Sequence, residues 1–204
     1  MMIVVGITGA SGSILGVRLV EELLNLEQKV VGVVSAEAWS VMTHELSFKP
    51  SGREPLRELL VKRGLTARLG AYQEFDDKNL FAAIASGTSS FRAVVVMPTS
   101  MKTLSAVANG YADSLITRSC DVALKEKRQC ILVPRETPLS LIHVENMRKA
   151  MLAGAQIAPP MPGFYTRPKS IDDVVNFTVG KVINLLGLQH TLFKSWGAET
   201  SEES

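Results

Sequence analysis

Short runs of uninterrupted apolar residues alternate along this chain with segments whose apolar side chains recur every three or four positions. The continuous runs are Ile3 to Ile7, Lys29 to Ser35, Ala93 to Met97 and Gln129 to Val133. Rich in valine and isoleucine and only a few residues long, they read as strands covered on both faces. Leu15, Leu19, Leu23 and Leu26 mark a helix from about Ser13 to Leu26. Further helices are predicted from about Ala36 to Leu46, from the Pro98–Thr103 segment through about Ala108, and over Leu115 to Lys125, His143 to Ala153 and Ile171 to Leu186. Between Phe48 and Lys78 the pattern weakens into a polar, basic stretch that reads as peripheral. Strands alternating with helices predict one α/β domain, a doubly wound parallel sheet with right-handed crossovers. No repeat or low-complexity linker divides it, so residues 1–196 are read as the domain and 197–204 as an acidic, disordered tail.

Composition changes this picture in one respect. A chain of 204 residues and 22.1 kDa suits a single such domain. However, 46% hydrophobic residues and a mean hydropathy of +0.16 predict apolar surface buried between subunits. The net charge of +2 is small and dispersed, with Lys125, Lys127 and Arg128 the one tight basic cluster, which argues against nucleic acid. Cys120 and Cys130 lack CxxC spacing, and His44, His143 and His190 are scattered, so neither a disulfide scaffold nor a metal site is expected. No apolar run reaches the length of a membrane span and no signal peptide opens the chain, so a cytoplasmic protein with no membrane attachment is expected.

The candidate chemistry lies where strands hand over to helices. Gly9-Ala10-Ser11-Gly12 follows the first strand and opens a helix, where close backbone approach and free N–H groups suit a phosphate or flavin. It is not a dinucleotide fingerprint, because Gly6-x-x-Gly9-x-x-Gly12 lacks the GxGxxG spacing and Ser35-Ala36 places no acid directly at the tip of the second strand. Ser100-Met101-Lys102-Thr103 repeats the arrangement after another strand, and two such starts can converge on one ligand. Ser86-Gly87-Thr88-Ser89-Ser90 is a hydroxyl-rich loop able to wrap a second phosphate or to serve as a plain connector.

Val133 to Met147 carries the densest information. An arginine and a glutamate, Arg135 and Glu136, stand between Pro134 and Pro138 at a strand's carboxyl end, where open α/β sheets place ligands. Arg118, Lys125, Arg135 and Lys181 could gather around an anion with Tyr165 as hydroxyl donor, and the seven-residue spacing puts Arg118 and Lys125 on one helical face. Glu45 and Glu136 are the candidate acids, while His143 reads as structural. Tyr165-Thr166-Arg167-Pro168-Lys169 matches YxxxK formally, but Pro168 is incompatible with the helix that motif needs.

Together these segments resemble the UbiX family of flavin prenyltransferases. The likeness rests on Thr8 to Gly12, Ala85 to Thr88, Pro98 to Leu104, the helix with Arg118 and Leu124-Lys125-Glu126, Val133 to Met147, Pro159 to Tyr165, and Trp196. It runs from residue 3 to about 197. The resemblance implies flavodoxin/Rossmann-like subunits in a homo-dodecamer, with reduced FMN and dimethylallyl phosphate bound at subunit interfaces and no metal. It implies attachment of the dimethylallyl group to flavin N5 and C6, and passage of the prenylated FMN to a UbiD-type decarboxylase. By position, Gly9, Ala10, Ser11, Ser35, Ser100, Met101, Lys102, Thr103 and Arg135 would bind FMN. Ser86, Gly87, Arg118, Lys125, Tyr165 and Lys181 would hold the allylic phosphate. Ser11, Glu45, Lys125, Glu136 and Trp196 would carry the catalysis, Glu136 by protonating the leaving phosphate and Glu45 by assisting proton loss from C6. Thr99 stands where many members have cysteine, and Leu80-Phe81 where some have a tryptophan near the prenyl pocket. An FMN-dependent cysteine decarboxylase of the same superfamily is the nearest rival, disfavoured because Pro98 to Lys102 has no asparagine. A non-catalytic FMN-binding module is the other.

Overall fold

The computed structural model describes residues 2–193, and they form one six-stranded, wholly parallel sheet. The strands are β1 (Met2–Ile7), β2 (Lys29–Val34), β3 (Tyr72–Asp76), β4 (Phe91–Thr99), β5 (Gln129–Pro134) and β6 (Gln156–Ile157), in the order β3-β2-β1-β4-β5-β6. The order reverses between β1 and β4, which makes their carboxyl ends the switch point where doubly wound sheets bind ligands.

Alternation along the strands sends side chains to two separate cores. Ile3, Val5 and Ile7 meet α1 (Ser13–Asn25), α2 (Ala36–Glu45), α3 (Pro55–Lys62) and α7 (Ile171–Leu185) on one face. Val4, Val94 and Val96 meet α4 (Met101–Ala108), α5 (Leu115–Lys125) and α6 (Leu141–Leu152) on the other. Burial on both faces is why the strands read as continuous apolar runs. Helix α1 lies so close to β4 that a Cβ at Gly16 would collide with the Met97 carbonyl, which glycine alone avoids.

The structure corrects the reading of the segment between Phe48 and Lys78. It is no peripheral stretch, since it supplies α3 and the edge strand β3. Leu56, Leu60 and Tyr72 from it are almost fully buried. Polar and charged residues of a short amphipathic helix and a half-exposed edge strand masked the few apolar positions that matter. Strand β6 was also missed, being two residues long. Helix α6 begins at Leu141, two residues earlier than expected, because Ser140 caps it. His143 closes that capping box, its Nδ1 accepting from the Ser140 amide at 3.2 Å, so its structural reading holds. Tyr165 lies in a 3₁₀ turn (Phe164–Thr166), as rejection of YxxxK required.

Candidate active site

Three helix starts converge on one crevice at the switch point. Ser35, Ser100 and Ser114 cap α2, α4 and α5, their hydroxyls accepting from the amides of Ala38 (3.2 Å), Thr103 (3.3 Å) and Thr117 (3.4 Å). Each cap leaves neighbouring N–H groups at the positive end of its helix, an anion-attracting arrangement. Thr8 joins two of the turns: its Oγ1 donates to the Pro98 carbonyl at 2.8 Å and accepts from the Ser100 amide at 2.7 Å. The cavity enclosed is about 170 Å³, with Thr8, Gly9, Ser35, Ser100, Lys102 and Thr103 on its walls. Met101, at the first position of α4, packs its partly buried side chain against the core.

Acidic groups also line this cavity: Glu37, Asp77 and Asp113. Asp77 accepts from the Ile116 amide at 2.9 Å, and burial pushes its carboxyl above the ordinary range against that bond. Glu37 and Lys102 form an ion pair across the mouth at 3.0 Å, both side chains largely exposed. A hydrogen bond with its own backbone, and then Lys102, hold Glu37 below the usual range, while Glu37 raises Lys102. Sequence reading missed Thr8, Glu37, Asp77, Asp113 and Ser114. Ser114-x-x-Thr117 before an apolar run was a legible capping signal. Asp77 gave none, because it follows the strand that was itself missed.

At one side of the crevice the turn Gly9 to Gly12 is anchored from the far end of α2. Glu45 accepts from the amides of Gly12 (3.0 Å) and Ser13 (2.9 Å) and from Ser13 Oγ (2.7 Å), at the start of α1. The Ser11 hydroxyl lies near enough to this carboxylate to help lower it. Burial raises the Glu45 carboxyl, but the hydroxyls of Ser11 and Ser13 and the two amides outweigh it and keep it below its ordinary value. Ala10 is buried and its amide closes the turn onto the Thr8 carbonyl at 2.7 Å.

The remaining predicted residues form a rim rather than a cluster. The Arg135 amide bonds the Thr99 carbonyl at 3.2 Å, which seats the Pro134–Pro138 loop beside the crevice. Glu136 is exposed, and its Oε1 accepts from the Thr137 amide at 3.0 Å. Arg118 pairs with Asp121 at 3.5 Å and Lys125 with Glu126 at 3.6 Å, both on α5 or its end. Lys125 Nζ lies 3.3 Å from where a Cβ on Gly87 would stand, so the Ser86-Gly87 turn and Lys125 are neighbours. Lys125 also lines a second cavity of about 340 Å³ with Tyr111, Thr117 and Asp121. Tyr165 packs edge-on against Phe177 of α7 at 5.8 Å, and Lys181 is exposed on the same helix. Helices α5 and α7 cover opposite faces of the sheet. The cations expected around one anion therefore do not gather within a single chain. Trp196 lies outside the described residues.

Among the described residues, no group of three or more histidine, cysteine, aspartate or glutamate side chains is placed to hold a metal ion. No helix among them is long and apolar enough to cross a membrane. The Flavoprotein family profile matches residues 1–183. The flavin prenyltransferase UbiX of Alkalihalophilus pseudofirmus is 47% identical, over 95% of this chain and 94% of that protein. The crystal structure of AnUbiX in complex with FMN and dimethylallyl pyrophosphate superposes with a TM-score of 0.84 at 35% identity, covering 96% of each chain. A dodecameric FMN-dependent UbiX-like decarboxylase from Escherichia coli gives a TM-score of 0.83 at 36% identity, over 96% of this chain and 99% of that one.

Proposed function

The chain belongs to the UbiX family of flavin prenyltransferases, and from that premise we propose that it transfers a dimethylallyl group from dimethylallyl phosphate to N5 and C6 of reduced FMN. The observation that carries this reading is the convergence of three serine-capped helix starts on one crevice. That donor set fits a phosphorylated flavin: helix-start amides, hydroxyls and Lys102 for the phosphate, and the carboxylates of Asp77 and Asp113 as acceptors for hydroxyl groups of its chain. When bound, reduced FMN supplies the nucleophilic N5 and C6.

The chain's own residues then divide the work. Gly9, Ala10, Ser11, Ser35, Ser100, Met101, Lys102, Thr103 and Arg135 hold FMN. Ser86, Gly87, Arg118 and Lys125 grip the allylic phosphate from one subunit. Tyr165 and Lys181, on the opposite face of the sheet, serve that phosphate from a neighbouring copy, which makes the working form an oligomer, and a dodecamer in our reading. Cationic groups around the phosphate stabilise the charge that develops as the allylic C–O bond breaks. Glu136 gives its proton to the departing phosphate oxygen. The hydroxyls and amides around Glu45 hold it below its ordinary value, which favours the ionised form that can accept the proton lost from C6. Trp196 is assigned to the wall of the reacting centre. The product, prenylated FMN, passes to a UbiD-type decarboxylase.

The AnUbiX complex favours a second donor, dimethylallyl pyrophosphate. Incubating the protein anaerobically with reduced FMN and each donor in turn separates the possibilities by mass spectrometry and by the inorganic product released. A flavin heavier by one prenyl unit, with free phosphate, supports the proposal. Turnover with the pyrophosphate alone reassigns the donor. FMN-loaded protein that yields no heavier flavin with either donor overturns the reading and leaves a binding module or a decarboxylase.

A further inference from the structure

The basic turn between α5 and β5 contains an arginine that no part of the site described above uses. The chain reverses at Lys127, whose φ of 56° lies in the left-handed region. This sharp turn brings Lys125, Glu126 and Arg128 all against the loop 86–90. Arg128 Nη2 donates to the Gly87 carbonyl at 2.8 Å. Its guanidinium carbon stands 4.6 Å from the centre of the Phe91 ring, and Phe91 is itself buried at the start of β4. Contact with a buried ring confines the guanidinium, and with it the direction of its donor.

The opposite side of Gly87 is equally confined. Glu126 Oε1 occupies the place a Cβ would need, with Lys125 Nζ just beyond it, and Lys125 and Glu126 pair at 3.6 Å. Among the described residues, the loop's other hydrogen bonds run to itself and to the turn before it. Ser86 Oγ and Thr88 Oγ1 lie 2.9 Å apart, and the Ser89 amide bonds the Ser86 carbonyl at 3.1 Å. Such local bonds shape a loop without fixing its position relative to α5. Among the described residues, the hydrogen bond that crosses from the loop to the α5–β5 turn is the one made by Arg128.

We infer that Arg128 is a positioning residue for the allylic phosphate: by capturing the Gly87 carbonyl it holds the Ser86-Gly87 turn in register with Lys125. A backbone carbonyl near a phosphate repels it, and one held by a guanidinium is turned away and partly neutralised. Lys125 is a flexible cation that can follow a ligand, whereas the turn has to be held for it. This inference rests on the reading that Ser86, Gly87 and Lys125 bind the donor's phosphate. It adds a residue that would touch neither FMN nor the donor.

The test is Arg128→Ala beside Arg128→Lys in the full-length, FMN-loaded protein. Titration calorimetry with dimethylallyl phosphate reads the phosphate site without turnover, and steady-state prenylation then gives kcat and KM. Losing one charge-assisted hydrogen bond predicts donor affinity weakened by about tenfold in Arg128→Ala, with kcat and FMN affinity close to wild type. Arg128→Lys keeps a donor but loses the guanidinium's confinement over Phe91, and should recover part of the loss. Unchanged donor affinity in either variant, or FMN affinity falling in parallel with it, overturns the inference. Should Arg128→Ala fail to fold, Arg128→Lys with wild-type donor affinity and KM overturns it equally. If wild-type protein binds the donor but makes no prenylated flavin, the proposed function fails while the calorimetric arm still judges Arg128.

Discussion

The crevice and the rim of this molecule are built on opposite plans. In the crevice, Thr8, Ser35, Ser100, Ser114 and Glu45 all spend hydrogen bonds on nearby backbone, so the donors are aimed before any ligand arrives. At the rim, Glu136 accepts only from the adjacent amide, and the Arg135 and Lys181 side chains have no hydrogen bond or ion pair among the described residues. Large apolar residues just after the Arg135-Glu136 loop are exposed too: Leu139, Leu141 and Ile142. One chain suffices to build an anion-binding crevice, whereas the rim has the character of a surface finished by other groups. Substitutions should therefore separate cleanly: rim residues should cost activity with little stability, and crevice residues should cost both.

Glu136→Gln should show the largest effect on activity. Removing a general acid lowers turnover by roughly 10²- to 10⁴-fold. An exposed, isosteric change should leave stability within about 0.5 kcal/mol and FMN retention unchanged. Product mass spectrometry and calorimetric melting check both arms. Retained turnover would remove Glu136 from the mechanism, and a large drop in melting temperature would show the rim to be structural after all.

Gly9→Ala probes the crevice. A Cβ there would lie 2.6 Å from Glu37 Cβ, closer than carbon atoms tolerate, and the neighbour is part of a capped helix start. Overpacking of this kind costs about 1–3 kcal/mol. For a chain of this size that is a fall in melting temperature of roughly 2–4 °C per kcal/mol, accompanied by loss of FMN. A variant of wild-type melting temperature that still lost FMN would mean that the turn touches the ligand without holding the fold.

Much of this contrast was readable in the sequence, for identifiable reasons. Strands buried on both faces announce themselves as apolar runs, and the predicted β1, β2, β4 and β5 lie within a few residues of the observed ones. The turns after β1 and β4 were legible as a pair, because each carries glycine or serine between an apolar run and a helical pattern. The Arg135-Glu136 loop stood out through its prolines. Illegible were the groups whose position depends on tertiary approach. Asp77 faces the crevice because an edge strand, too polar to be recognised, ends there. The division of Arg118 and Lys125 from Tyr165 and Lys181 depends on which face each helix covers, and spacing along a chain does not encode that.

Asp77→Asn sharpens the comparison through pH. Burial raises the folded-state carboxyl above its ordinary value, so the folded protein binds that proton more tightly than the unfolded chain. The resulting contribution to stability is fully present below the ordinary carboxylate range and is lost as pH rises through the folded value. Asparagine keeps an oxygen to accept from the Ile116 amide but cannot titrate. Wild type should lose stability relative to Asp77→Asn across that acidic window, and the two should then run parallel at higher pH. Parallel curves throughout would show that the crevice leaves Asp77 untaxed by burial.

The smallest effect should come from the pair that bridges the crevice mouth. Glu37 and Lys102 are both largely exposed, and such pairs contribute about 0–1 kcal/mol, screened further by salt. Glu37→Gln should therefore leave the melting temperature within about 1–2 °C of wild type. Its informative consequence is on binding, because it frees Lys102 from an internal carboxylate that competes with the flavin phosphate. FMN affinity should rise by a few-fold at low ionic strength, with the advantage shrinking as salt is added, while Lys102→Met should weaken it. Fluorescence titration of FMN at two salt concentrations reads both variants. If Glu37→Gln binds FMN more weakly than wild type, Glu37 is itself part of the flavin site, and the mouth belongs with the pre-aimed crevice rather than with the rim.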